Sequence, residues 1–344
     1  MIVFLLSLFG IYLLGRIVSV VVEGSFLSFV DWFQKKTGVS DSVAGELFQA
    51  IGTSAPEIAI NGYATYIALN NPALGISAII GSALFQLTVV IAFPMFFVDE
   101  TPAIDKTSLF RSFGVYGCIV LLLVFAARDG VFTTLELGLF MIIYGLYVIY
   151  LLNLKGEEVT LVEGDSGGSL GWFDDPFYTL SKWIDDRLPQ RPILGFPLSL
   201  ALIGILCGFL VELTEYAGMF LGLSSSFMAL TVLAAASSLP ELASNKEKGS
   251  EGKMDQAISN AIGSNSFDIL ISFGAVSFFA AWMRGGLVMP DPMSVSGPAF
   301  LLLLSLLSVL MMFWIGRWKV KKWMPYTLLA LYFIFVGLNL LYIF

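Results

Sequence analysis

The sequence predicts an all-α integral membrane protein of ten transmembrane helices, arranged as two inverted five-helix repeats with broken helices at their centre. Three observations carry that expectation. The chain has 344 residues, of which 57% are hydrophobic and only 13% charged, where a soluble domain carries about 25% charged residues. Ten apolar runs are long enough to cross about 30 Å of hydrocarbon. A pattern of small, hydroxyl-bearing and acidic residues recurs in both halves at a nearly fixed offset.

The apolar runs fall at 2–22, 41–68, 73–97, 110–127, 132–152, 194–217, 225–245, 256–281, 298–316 and 325–344. The first has no basic flank and exceeds a signal-peptide core, so it reads as a retained helix. Of the 18 Lys and Arg, fifteen fall in the loops after odd-numbered spans, from Lys35 to Lys322; only Arg128 and Arg284 fall after even ones, and Arg16 lies within the first span. Basic residues gather on the cytoplasmic side, which puts both termini outside, in a multi-pass protein of the cell membrane. The longest loop, 153–193, is then a cytoplasmic linker between a first five-helix repeat (1–152) and a second (194–344). It is acidic, with Gly-rich turns near Gly164–Gly171 and a stretch, Trp172–Leu188, that reads as an interfacial amphipathic helix. A calcium site on Asp174, Asp175, Asp185 and Asp186 is the weaker reading there, because an EF-hand-like spacing is absent.

Composition also excludes chemistries. The chain has no histidine and only two cysteines, Cys118 and Cys207, which removes zinc sites, haem histidines, Ser-His or Cys-His catalysis and a disulfide framework. A net charge of −8 leaves no basic patch for nucleic acid. An intramembrane enzyme built on Ser54 or Ser238 would lack a base. The two cysteines read as small core residues.

Ser40, Ser42, Ala50, Ser54, Pro56 and Glu57 recur 184 residues later as Ser224, Ser226, Ala234, Ser238, Pro240 and Glu241; Ile80, Gly81, Ser82 and Phe85 recur 182 residues later as Ile262, Gly263, Ser264 and Phe267. Five spans separate the copies, so they lie in the bilayer with opposite orientation, the plan of secondary transporters. In each copy a proline removes one backbone N–H and releases the carbonyl four residues earlier, at Gly52 and Ala236, with Ala50 and Ala234 as neighbours. A carboxylate at mid-membrane is costly and marks function. Ser82 and Gln86 share one helical face, as do Ser264 and Asp268. The gathered set of Glu57, Glu241, Asp268, Ser54, Ser82, Ser238, Ser264 and Gln86 is oxygen-rich without nitrogen-ring or sulfur donors. It suits Ca²⁺ or Na⁺ and suits zinc or copper poorly. Three buried carboxylates need compensating cations in every stable state, which favours exchange of one Ca²⁺ for several monovalent ions.

At these residues the sequence resembles the cation/calcium exchanger superfamily. Ile51–Ile60 is similar to its first alpha-repeat and Leu233–Ser244 to its second, with Gly263-Ser264-Asn265 as the associated turn. Ser266-Phe267-Asp268-Ile269 and Gly81-Ser82-Ala83 resemble the potassium-dependent sodium/calcium exchangers. The resemblance implies antiport of Ca²⁺ against Na⁺, with K⁺ a further candidate ion and no resident cofactor. It implies ligand or near-ligand positions at Thr53, Ser54, Glu57, Ser82, Ser237, Ser238, Glu241, Ser264 and Asp268, and sliding of spans 1 and 6 across the core. Two positions depart from the pattern: Gln86 stands where many relatives have Asn, and Ala236 replaces Gly. A Ca²⁺/H⁺ antiporter using the same carboxylates remains open, and a cation channel is the more distant alternative. The expected partners are the two ions and the lipid bilayer, with no nucleic acid and the oligomeric state open. Other polar residues have two readings each. Glu46 lines the approach to the site or pairs near the surface, Glu23, Glu212 and Glu215 are vestibule charges or solvated helix ends, and Arg16 snorkels or pairs with a carboxylate.

Overall fold

The computed structural model describes residues 2–22, 50–67, 71–98, 106–153, 192–250, 254–289 and 291–343, with isolated positions at 29, 32, 104, 183, 186, 187 and 252. The expectations for Glu23, Glu46 and most of the 153–193 linker lie outside these residues. Within the linker, the Arg187 guanidinium stacks 3.2 Å from the Trp183 ring centroid.

The chain begins with α1 (Ile2–Val21), then α2 (Ala50–Thr53) and α3 (Ala55–Tyr66). Next comes α4 (Pro72–Phe85), which continues through a π-helical segment, Gln86–Val90, into α5 (Ile91–Met95). Pro72 starts α4 at a position where its missing N–H costs nothing. Further on, α6 (Lys106–Ala126) and α7 (Thr134–Asn153) flank a short strand, β1 (Val131–Phe132). Thr133 and Glu136 cap α7 reciprocally: each side chain accepts from the other residue's backbone N–H, at 2.9 and 3.2 Å.

The second half opens with α8 (Pro192–Leu221), followed by α9 (Ser225–Met228), a π-helical segment Ala229–Leu233, α10 (Ala234–Ser237) and α11 (Leu239–Ser250). Ser224 caps α9 by accepting from the Phe227 N–H. Then α12 (Met254–Phe267) runs through a third π-helical segment, Asp268–Phe273, into α13 (Gly274–Arg284). The chain ends with β2 (Leu287–Val288), α14 (Met293–Ile315) and α15 (Met324–Ile343).

This is an all-helical membrane protein. Among the described residues six helices are long and apolar enough to span a bilayer, or seven when the bent pair Ser225–Ser237 and Leu239–Lys246 counts as one. Two apolar helices, at Leu6–Val21 and Thr134–Tyr150, are shorter. A short ladder departs from the all-α expectation. β1 and β2 pair antiparallel, Val131 with Val288 and Phe132 with Leu287. Gly130, at φ 71°, makes the entry to this ladder; a Cβ there would meet Pro292 at 2.6 Å.

Two apolar cores share α4, whose every residue is buried. Ile76, Ile79 and Ile80 face a core with Phe113, Ile262, Leu302 and Phe313. Leu74 and Ala78 face another with Val18, Ile60, Ile203 and Leu210. α1 packs along α8 and α8 along α3, so the first and sixth helical runs lie side by side. A Cβ at Gly81 would run into the backbone carbonyl of Leu230, and this close approach seats α4 against the π-helical segment before α10. The cysteines differ from expectation. Cys207 is buried but Cys118 is exposed, because it points off the outer face of α6 while Tyr116 and Ile119 point inward.

Candidate functional site

Both half-repeats break at a serine. Ser54 separates α2 from α3 with φ/ψ of −86°/6°, and Ser238 separates α10 from α11 with −87°/12°. Pro56 and Pro240 follow two residues later and offer no N–H to the carbonyls of Gly52 and Ala236. The second break bends its helix pair by 41°. Glu57 and Glu241 consequently stand in the first turns of α3 and α11, where the helix dipole favours negative charge. Ala50 opens α2 and Ala234 opens α10. The Ala234 carbonyl is not left open as expected: the Ser237 and Ser238 hydroxyls donate to it at 3.1 and 2.9 Å, and the Ser238 N–H at 3.2 Å. Serine back-bonding of this kind relieves the carbonyl beside a bend.

The second elements of each half cross these breaks. Glu57, Glu241 and Asp268 are 2%, 0% and 0% exposed. The Ser82 hydroxyl donates to Glu57 Oε1 at 3.2 Å, and the Ser264 hydroxyl to Glu241 Oε1 at 3.3 Å. Ser82 Oγ lies 2.8 Å from Ser238 Oγ, and Ser264 Oγ lies 2.9 Å from Ser54 Oγ. Each hydroxyl pair joins one half to the other, and the two pairs are equivalent under the sequence repeat. Ser237 lies beside Glu57 and Thr53 beside Glu241 in the same crossed sense. The pseudo-equivalents Gln86 and Asp268 meet directly, with Gln86 Nε2 donating to Asp268 Oδ2 at 3.4 Å and to Ser82 Oγ at 3.1 Å.

Ten of the twelve expected site residues thus converge through side chains, while Ala50 and Ala234 contribute at most backbone. The acids approach one another through intervening hydroxyls. Among the described residues no three His, Cys, Asp or Glu side chains stand close enough to hold a metal ion by themselves. Glu57 Oε2, Glu241 Oε2 and Gln86 Oε1 are buried and carry no hydrogen bond within the described structure. A buried neutral polar atom without a partner costs about 1–3 kcal/mol, and an ionised one costs more. Oxygens in this condition can coordinate a cation.

One neighbour of the site escapes a reading of the sequence alone. Asn61 is fully buried beside the site and bonds to Ser272 and Ser277. A signal for it exists, since Asn61 and Asn245 repeat at the same offset of 184 as the glutamates. Glu212 is more than a solvated helix end: it accepts from the Tyr63 hydroxyl at 2.8 Å, and the Tyr63 ring lies against Gly208 one turn earlier on α8. Arg16 is buried.

The family described as "Sodium/calcium exchanger protein" matches residues 1–153 and 191–341. The chain belongs to that family. Human Sodium/potassium/calcium exchanger 5 is 24% identical to it over 332 aligned residues, covering 74% of this chain and 66% of the human protein. Chicken (Gallus gallus) Sodium/potassium/calcium exchanger 1 is 33% identical over 129 residues, covering 36% of this chain and 19% of the relative. The chain therefore spans about two-thirds of the one and about a fifth of the other. An uncharacterized membrane protein of Methanocaldococcus jannaschii matches nearly end to end, 27% identical over 95% of this chain and 96% of its own. Among solved structures, the sodium-calcium exchanger NCX_Mj soaked with 10 mM Na⁺ and zero Ca²⁺ matches with a TM-score of 0.61 at 23% identity, covering 96% of this chain and 98% of its own. That likeness concerns the fold. The human and chicken relatives and NCX_Mj are named as exchangers of sodium and calcium, and the family carries the same description.

Proposed function

We propose that this chain is a secondary-active antiporter that exchanges Ca²⁺ for Na⁺ by alternating access. The observation that carries the reading is the crossed pairing of hydroxyls and carboxylates between the halves. Ser54 with Ser264 and Ser82 with Ser238 bring Glu57, Glu241 and Asp268 into one buried, oxygen-only site. Such donors favour Ca²⁺ and Na⁺ over softer metals. One Ca²⁺ and several monovalent ions carry comparable charge against the same acids, so each load can displace the other. The names of the human and chicken relatives support Na⁺ and Ca²⁺ as cargo, with K⁺ as a further candidate.

In this reading the ligands come from Glu57, Glu241, Asp268, Thr53, Ser54, Ser82, Ser237, Ser238, Ser264 and Gln86, with the Ala50 and Ala234 backbone nearby. The chain forms ten spans in two inverted repeats, 1–152 and 194–344, with both termini outside and the 153–193 linker in the cytoplasm. The pair α1 and α8 slides across the remainder to open the site to either side. The family's transport role supports a reading in which Ser54 and Ser238 serve as ion ligands rather than in an enzymatic reaction.

Reconstituted vesicles test the proposal. Protein in Na⁺-loaded vesicles should take up Ca²⁺ when diluted into Na⁺-free buffer, and adding K⁺ to either side reveals any K⁺ requirement. Uptake that ignores Na⁺ and follows an imposed pH gradient would establish Ca²⁺/H⁺ exchange instead. Flux without any counter-ion would indicate a channel.

A further inference from the structure

We propose that Asn61 is a positioning residue that holds Asp268 in register with Glu57, an inference that rests on the exchange reading above. Asn61 lies four residues after Glu57, on the same face of α3. Its amide donates to the Ser272 carbonyl at 2.8 Å and to the Ser277 hydroxyl at 3.3 Å, and its own oxygen accepts from Thr65 at 3.2 Å. The Ser272 hydroxyl donates in turn to Asp268 Oδ1 at 3.1 Å. All five residues are buried to 0% exposure. A continuous line of bonds thus runs from the helix that carries one site acid to another site acid in the opposite half.

The π-helical segment gives this line its consequence. Asp268 opens the segment, Ser272 lies inside it, and Ser277 lies in α13 beyond it. Such a segment holds one residue more than an α-turn, and reversion to α-helix would rotate α12 by about 100° relative to α13. Asp268 would then turn away from the Gln86 amide that donates to it from the other half. The two N–H groups of Asn61 grip the chain once within the segment and once after it, which fixes that register. Further along α3, the Tyr66 hydroxyl donates to the Val276 carbonyl and the Arg284 guanidinium to the Thr65 carbonyl, so α3 and α13 are clamped at a second level.

The repeat supplies a control. Asn245, the pseudo-equivalent of Asn61, is equally buried. It bonds to the Ala257 carbonyl and accepts from Asn260, both in α12, and among the described residues neither of these bonds reaches a π-helical segment. A residue needed only to satisfy a buried amide would behave alike in both places.

The test measures Ca²⁺ binding by calorimetry in detergent and Na⁺-driven Ca²⁺ uptake in vesicles for wild type, Asn61→Ala, Asn61→Ser, Ser272→Ala, Asn245→Ala and the Asn61→Ala/Ser272→Ala pair. Asn61→Ala should raise the half-saturating Ca²⁺ concentration about tenfold in both assays, with Asn61→Ser, the milder change, in between. The double variant should be no worse than Asn61→Ala, because both act through one line of bonds. Asn245→Ala should leave half-saturation unchanged. Wild-type affinity in Asn61→Ala or Asn61→Ser, or multiplied losses in the double variant, would overturn the positioning role while leaving the exchange reading intact. A wild-type protein that neither binds nor exchanges Ca²⁺ would overturn both.

Discussion

At the residue scale, the acids are held by unlike means. Glu57 and Glu241 each have one oxygen bonded to a serine and one without a partner, whereas both oxygens of Asp268 accept hydrogen bonds, from Ser272 and Gln86. The glutamates therefore have the greater need of a cation. Glu57→Gln and Glu241→Gln should abolish exchange while the thermal midpoint stays at or above wild type, since a neutral amide avoids the cost of burying a charge. Transport assays with a parallel melting curve check this, and unimpaired transport in either variant would mean the site lies elsewhere. The glutamates are legible in the sequence because each follows a proline at mid-span and the motif occurs twice. Asn61 repeats just as faithfully but has no accompanying charge to mark it. The engagement of the Ala234 carbonyl is not legible, because serine back-bonding depends on side-chain rotamers that spacing alone does not specify.

At the element scale, the breaks at Ser54 and Ser238 follow from the absent N–H of Pro56 and Pro240, so the sequence locates them. The π-helical segments at Gln86–Val90, Ala229–Leu233 and Asp268–Phe273 have no comparable signature. Gln86 and Asp268 each begin one, yet the β-branched and polar residues there also occur in ordinary helices and strands, and the widened turn reflects packing between the halves. Close packing at Gly81 is one such constraint. Gly81→Val should destabilise the protein by about 1–3 kcal/mol or more, because the obstructing atom is backbone and has little room to move. Gly145→Ala is the contrasting change: it meets nothing within 4 Å and should be neutral or stabilising by about 0.5–1 kcal/mol. Thermal unfolding in detergent distinguishes the two; equal midpoints would contradict the packing argument.

At the scale of the whole molecule, the proposed topology rests on charge placement and the repeat offset together. The turn at Arg128–Gly130 and the segment Gly285–Met289 meet in the β1–β2 ladder, with the Met289 N–H donating to the Gly130 carbonyl at 2.8 Å. Both therefore lie on the same side. The ladder itself is not legible in the sequence, since two-residue strands between helices have no periodicity to detect. With Cys118 and Cys207 replaced by alanine, Asp129→Cys and Asp291→Cys should react with an impermeant maleimide from outside the cell, and Lys319→Cys only after permeabilisation. Labelling of Lys319→Cys in intact cells would reverse the proposed orientation.

The central claim is that one buried oxygen site serves both cations in turn, and competition measures it most directly. Calcium titrations of the purified protein at rising Na⁺ should show half-saturation moving steadily to higher Ca²⁺ with the number of bound Ca²⁺ unchanged, and Glu241→Gln should remove the Ca²⁺ signal. Calcium binding indifferent to Na⁺, or undiminished in Glu241→Gln, would contradict the account.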